Sequence, residues 1–347
     1  MISISVVMPV YNTPVDILRE AVDSILCQTF RDFEFIIIDD GSEDATRLYL
    51  QNLKDNRIRL IRNHQNRGIT KSLNIGLREA KGKYIARMDG DDIAFPKRLE
   101  KQYQFMETHP KVFMCGTNVE YFGAYSRVTK NRIKDMEYYR ISALFAYPGP
   151  AHPTAFFNRK LLQRYRIKYD EDLIYAQDYG IYVEISRHGE ICILREPLLR
   201  LRVHDHRITN EHRKKQIECD MITRKKLVQE LIPDVTDAEM DFHYRYGTGY
   251  DGEAKINAEI LNWLQKLIEA NDRIGIYNKR KFKEYVYNTV EKRAIYHSFD
   301  SNVPYTTRVS GFFKYLPFQN ALRATLGMSA RGVIDQIRTK NKRSKGH

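Results

Sequence analysis

Cysteine, tryptophan and long apolar runs are all scarce in these 347 residues, and each scarcity removes a class of protein. The four cysteines, Cys27, Cys115, Cys192 and Cys219, show neither paired nor metal-type spacing, which argues against a disulfide framework and a thiolate metal centre. Three of them lie in apolar segments, so the expectation is reduced, buried thiols in a cytoplasmic protein. No apolar run approaches the roughly 20 residues that span a bilayer, and no signal-like segment precedes Val6. A soluble or peripheral chain, on the inner face of the cytoplasmic membrane if peripheral, is expected. Tandem repeats and Pro- or Ser-rich linkers are also missing, so any domain boundary, placed here near residue 215, is soft.

Charge is present in quantity but unevenly. The net charge is +13, yet from Arg308 onward nine Lys or Arg face Asp335 alone, which leaves +5 for the other 307 residues. Within that tail Phe312, Phe313, Tyr315, Leu316, Phe318, Leu322 and Leu326 alternate with Lys314 and Arg323. Such a basic amphipathic segment, 308–347, can lie on an anionic membrane surface. It can equally pack as a final helix with a basic end. A charge gathered at one terminus, with no recognised binding motif, speaks against a nucleic-acid partner.

What the chain does contain is a series of apolar strands that end in polar clusters. Val6-Val7-Met8 runs into Pro9-Val10-Tyr11-Asn12, Ile36-Ile37-Ile38 into Asp39-Asp40-Gly41-Ser42, and Tyr84-Ile85-Ala86 into Asp89-Gly90-Asp91-Asp92. Between them, helical spacing appears in Ile17, Leu18, Ala21, Val22, Ile25 and Leu26 behind a capping Asp16, in 43–53, and in 70–80. A further amphipathic helix runs from Pro96 through Met106 to the strand Val112–Cys115. Alternating strand and helix predict a parallel sheet, and such sheets bind ligands beyond the carboxyl ends of their strands. Residues 1–116 therefore read as a nucleotide-binding half. Residues 211–300 read as helical, with periodicity in 258–268 and 282–290.

Three carboxylates around one glycine repel one another unless a cation sits among them, and hard oxygen donors suit Mg²⁺ or Mn²⁺ carrying a diphosphate. The plainer alternative is an acidic turn whose last residue caps the next helix.

The pieces Pro9-Val-Tyr-Asn12, Asp39-Asp-Gly-Ser42, Asn66-Arg-Gly68, Asn74-Ile-Gly76, Gly82-Lys-Tyr-Ile85, Asp89-Gly-Asp-Asp92, His152-Pro-Thr154, Gln177-Asp178 and Arg202-Val-His204 resemble, in order, those of family 2 glycosyltransferases. The resemblance covers about residues 3 to 210, and its closest layout is that of bacterial enzymes extending lipopolysaccharide, capsule or O-antigen chains. It implies an α/β GT-A fold with a mixed sheet: a catalytic domain over 1–215, with 117–215 as acceptor half, and a mostly helical region over 216–347. It also implies inverting transfer of a hexose or N-acetylhexosamine from a nucleotide sugar, uridine diphosphate linked, to a saccharide hydroxyl, possible on a lipid-linked acceptor.

Roles follow from the resemblance residue by residue. Pro9, Val10, Tyr11 and Asn12 would pack on the base, and Asp39 or Asp40 would accept its N–H. Asp89 would stand near the ribose, and Asp91 and His204 on the metal, Mn²⁺ or Mg²⁺. Apart from the resemblance, Lys71 and Arg67 near the start of the third helix could approach the phosphates, with solvated surface cations as the plainer reading. His152 would line the acceptor side, and Asp178 would be the base, at a place where the family has Glu-Asp and this chain has Gln177. A histidine at the end of a strand over 198–203, or an acid in the first turn of a helix, also has an ordinary structural reading. The rival enzyme class is a sugar nucleotidyltransferase. Those enzymes use a Gly-rich, basic triphosphate loop after the first strand, and Pro9-Val-Tyr-Asn12-Thr13 has neither glycine nor lysine.

Overall fold

The computed structural model describes residues 2–147, 149–203, 213–248 and 258–296; His204 and the tail 308–347 lie outside the described residues. The chain divides into two compact units, one of residues 1–140 and 147–223, the other of residues 141–146 and the described residues from 224 onward.

The first unit opens with β1 (Ile4–Val10), α1 (Val15–Leu26), β2 (Phe33–Asp39), α2 (Asp44–Gln51), β3 (Ile58–Arg62), α3 (Ile69–Glu79) and β4 (Tyr84–Arg87). It continues with β5 (Ile93–Ala94), α4 (Arg98–Thr108), β6 (Val112–Gly123), β7 (Arg127–Val128) and α5 (Met136–Ala143). A short 3-10 turn, His152–Thr154, leads to β8 (Phe156–Asn158), α6 (Arg159–Arg164), α7 (Gln177–His188) and β9 (Glu190–Val203). The strands form one sheet in the order β3-β2-β1-β4-β8-β6-β9-β5, with β7 beside β6. β3, β2, β1 and β4 are mutually parallel. β8 runs antiparallel to both β4 and β6, so the sheet as a whole is mixed.

Period-two alternation decides which side chains face which layer. Ile4, Val6, Met8 and Val10 of β1 join Phe35 and Ile37 of β2 in a core with Leu18, Ala21, Val22 and Ile25 of α1 and Leu99 and Met106 of α4. Val7, Ile36 and Ile38 face the opposite side, where Leu73 and Ile75 of α3 and Ile181 and Ile185 of α7 cover them. Helices on both faces leave the sheet's edges as the places where polar residues gather.

Local details depart from the sequence expectations for identifiable reasons. Asp16 does not cap α1: the helix starts one residue earlier, behind Pro14, and Asp16 sits in its first turn without a cap hydrogen bond. β6 and β9 are longer than the apolar runs predict, because their pairing passes through irregularities at Asn118 that break the alternation. The Asn118 amide bridges that gap by donating to the carbonyls of Leu194 and Arg195. Of the cysteines, all free, only Cys115 is buried; Cys27 is exposed just beyond α1.

The second unit contains the last eight residues of α8 (Arg213–Leu231), then α9 (Asp237–Thr248), α10 (Ala258–Ile274) and α11 (Lys279–Tyr296). Its centre is His243, which donates from Nε2 to the Leu144 carbonyl at 2.7 Å and accepts Trp263 Nε1 on Nδ1 at 3.2 Å. Burial lowers its pKa to about 4, so it is a neutral core histidine at pH 7. No helix among the described residues is long and apolar enough to cross a membrane.

Two glycines of the recurring pieces have steric causes. Gly41 adopts φ +80°, a left-handed conformation that suits glycine, against the Gln65 backbone. A Cβ on Gly76 would meet Val7 Cγ1 at 2.2 Å, so the glycine lets α3 close on β1. Gly76→Ala should therefore lower stability by about 1–3 kcal/mol in urea unfolding, despite alanine's better helix propensity. Unchanged or increased stability would contradict this packing account.

Candidate active site

Because β1, β2 and β4 are adjacent and parallel, their carboxyl ends deliver three polar segments to one edge of the sheet. A cavity of about 1040 Å³ opens there. Its walls include Pro9 and Val10 at the end of β1 with Tyr11 beyond, Asp40 after β2, Asn66, Gly68 and Ile69 at the start of α3, Arg87 at the end of β4 with Asp89, Gly90 and Asp91 beyond, and Tyr175 and Val203. Tyr11 is 48% exposed, an aromatic face turned to solvent.

The two acids after β2 are not equivalent. Asp40 spends its carboxylate on its own loop, accepting Asn63 Nδ2 at 2.7 Å, Arg67 N at 3.0 Å and Gly68 N at 2.9 Å. That bond set anchors the start of α3. Asp39 accepts Ser42 N on Oδ1 at 2.8 Å, while its buried Oδ2 has no hydrogen-bond partner and lies 3.4 Å from Arg62 Nε. A buried carboxylate oxygen with no N–H on it is a costly vacancy unless something donates to it. Asn12, at φ +48°, ties the β1 end to the next loop by donating from N to Ser42 Oγ and accepting Glu43 N on Oδ1.

After β4, Asp89, Asp91 and Asp92 each bring a carboxylate oxygen to within 4.8 Å of the others. Asp92 is 2% exposed and, rather than capping α4, accepts the Arg202 backbone N–H at 2.9 Å. Its pKa is held well above the usual carboxylate range by burial and by the charges of Asp89 and Asp91. Burial raises Asp89 as well, against the pull of its buried ion-pair partner Arg87. A set of crowded oxygen donors whose ionised forms are disfavoured fits a hard divalent cation.

Beneath this turn lies a fully buried arginine, Arg98. It donates to the Arg87 carbonyl at 2.6 Å, to Met88 Sδ at 3.2 Å and to Gln102 Oε1 at 3.0 Å, and among the described residues it has no ion pair with a carboxylate. Burial lowers its pKa to about 10, so it stays charged at neutral pH.

Asp178 stands in the first turn of α7, its carboxylate accepting Tyr179 N at 2.9 Å and facing Tyr147. Burial raises its pKa; hydrogen bonds and the charge of Arg87 only partly offset this. Asp178 in turn helps to raise Asp89, so the two carboxylates sense each other. The neighbouring Gln177 has a buried Oε1 without a hydrogen-bond partner. His152 is 8% exposed, within 2.8 Å of the Tyr169 hydroxyl through Nε2, and is kept neutral by burial and Arg87.

The structure thus brings Pro9, Val10, Tyr11, Asp40, Asp89 and Asp91 around one cavity. Asn12, Asp39, Lys71, His152 and Asp178 are not on its wall; Lys71 is exposed on α3. Arg87, Arg98 and Tyr175 were not legible as site residues. For Arg98 a signal existed, since it shares the buried helical stripe of Leu99, Gln102 and Met106, where a charged residue has no reason to stand unless it is bonded.

Residues 5–166 match the family described as glycosyl transferase family 2. An uncharacterized glycosyltransferase of Methanocaldococcus jannaschii is 36% identical over 212 residues, 58% of this chain and 70% of that protein. One of Haemophilus influenzae is 31% identical over 240 residues, 66% of this chain and 73% of that protein. Among solved structures, Staphylococcus aureus TarS 1–349 in complex with UDP-GlcNAc superposes with a TM-score of 0.57 at 18% identity, over 95% of this chain and 92% of that one. The fold is thus that of the GT-A transferases, and the chain belongs to glycosyl transferase family 2.

Proposed function

We propose that this glycosyltransferase is an inverting, divalent-metal-dependent enzyme that moves a hexose or N-acetylhexosamine from a UDP-linked donor to a saccharide hydroxyl in bacterial surface-polysaccharide synthesis. The observation that carries the proposal is the delivery of Asp40, Asp89 and Asp91 to the walls of one cavity at the carboxyl ends of adjacent parallel strands, with Asp92 beside them and the Asp39 carboxylate buried next to Asp40. A uracil N–H would satisfy Asp39, with the ring against Pro9–Tyr11, and the ribose would reach Asp89. The TarS complex with UDP-GlcNAc supports a donor of this class.

Asp91, with Asp89 and Asp92 beside it, would hold Mn²⁺ or Mg²⁺, which when bound supplies charge compensation for the departing diphosphate. Asp178 would remove the proton of the acceptor hydroxyl as that oxygen attacks the anomeric carbon opposite the leaving group. The new glycosidic bond forms, the bond to the β-phosphate oxygen breaks, and the nucleoside diphosphate leaves. An α-linked donor gives a β-linked product.

The raised pKa of Asp178 has a definite sign in kinetics. A base works ionised, so kcat/KM at saturating Mn²⁺ should fall with decreasing pH through a midpoint above the ordinary aspartate value. Asp178→Asn should bind UDP-sugar as the parent does, seen as equal thermal stabilisation, yet lose about 10²–10⁴-fold in kcat. Transfer at the parental rate would remove Asp178 from the role of base. Asp91→Ala should lose its response to added Mn²⁺ in both activity and thermal stability; an undiminished thermal shift would place the ion elsewhere.

A further inference from the structure

The segment Arg202-Val-His204 is among the family-like pieces, but the proposed chemistry gives Arg202 no part. Its surroundings do. At the end of β9 its backbone N–H donates to Asp92 Oδ1 at 2.9 Å, and its Nε donates to the Asp91 backbone carbonyl at 2.8 Å. The far side of the guanidinium pairs with Glu20 of α1, and its carbon lies 4.5 Å from the centre of the Phe122 ring on β6. The side chain is only 17% exposed, so these contacts are made largely out of water. One residue therefore gathers three separate elements onto two consecutive residues of the acidic turn.

That turn has a reason to move. Three carboxylates crowded within 4.8 Å push one another apart, a repulsion that Arg87 offsets at Asp89, and Gly90 gives the backbone freedom to follow. The side chain opposes that spreading by holding the Asp91 carbonyl, while the main-chain N–H of residue 202 holds the Asp92 carboxylate whatever side chain stands there.

We infer that the Arg202 side chain is a positioning group that presets Asp91 in its ion-binding arrangement before the ion arrives. The inference rests on the reading of the acidic turn as a divalent-cation site. A preset site loses less conformational freedom on binding, so removing the clamp weakens the ion's affinity even though Arg202 does not touch it. Lysine is no substitute: its ammonium lacks the planar fork that spans a carbonyl, a carboxylate and an aromatic face together.

The test is Mn²⁺ titration of the ion-free full chain, followed through the free-ion paramagnetic resonance signal, so that binding is read without turnover. Arg202→Met and Arg202→Lys should each bind Mn²⁺ about tenfold or more weakly than the parent. The Mn²⁺ concentration for half-maximal transfer should rise in parallel, with kcat at saturating Mn²⁺ within a few fold of the parent. Glu196→Gln, which breaks an exposed ion pair to Lys101 on the same strand, should bind as the parent does. Parental affinity in the Arg202 variants, with or without a fall in melting temperature, would overturn the inference and leave Arg202 a structural tie. If Arg202→Met does not fold, Arg202→Lys decides by the same reading. Failure of the parent itself to bind Mn²⁺ would overturn the cation site, and with it any role for its clamp.

Discussion

Everything around the cavity answers to one electrostatic constraint: acidic side chains are packed together at the end of β4 where water cannot fully solvate them. Burial first, and for Asp89 and Asp92 the charges of neighbouring carboxylates as well, holds Asp89, Asp92 and Asp178 above the usual carboxylate range. Two buried guanidinium groups stand against that repulsion. Arg87 pairs with Asp89 and extends its field to His152 and Asp178, while Arg98 takes backbone and amide oxygens and reaches the carboxylates only through space. Removing a buried charge from such an arrangement leaves its opposite uncompensated, which costs far more than a surface ion pair ever contributes.

The same polar groups also build the frame. Asp40 sacrifices its carboxylate to the loop that starts α3, leaving Asp39 with an oxygen that holds no hydrogen bond and only the ion pair to Arg62. Arg98 passes its grip through Gln102, whose amide donates to the Thr154 carbonyl at 2.8 Å, so the acidic turn and the turn bearing His152 are braced by one helix. Site geometry and fold stability are therefore not separable properties here. A substitution meant to probe chemistry in this region also probes packing, and only a readout such as ion affinity tells the two apart.

The α/β architecture was legible because alternation along β1 and β2 and helical spacing along α1 and α3 are local signals, each carried within a dozen residues. The convergence of three strand ends was legible too, since parallel neighbours deliver their carboxyl ends to one edge. Less visible were the long pairing of β6 with β9 and the capping of α1 and α4. An irregularity at Asn118 erases the period that marks a strand, and a helix start depends on where the incoming chain lets the first turn close.

By itself the sequence determined the order of elements, the faces they bury and the acids waiting at the strand ends, because those depend on neighbours a few residues apart. Only the tertiary structure decided which acid of each group is open and which is spent. Asp40 is satisfied by a residue 28 positions on, and Asp92 by one 110 positions on. A hydrogen bond between such distant residues leaves no periodic trace in the chain; it exists only once the sheet has brought its partners within 3 Å.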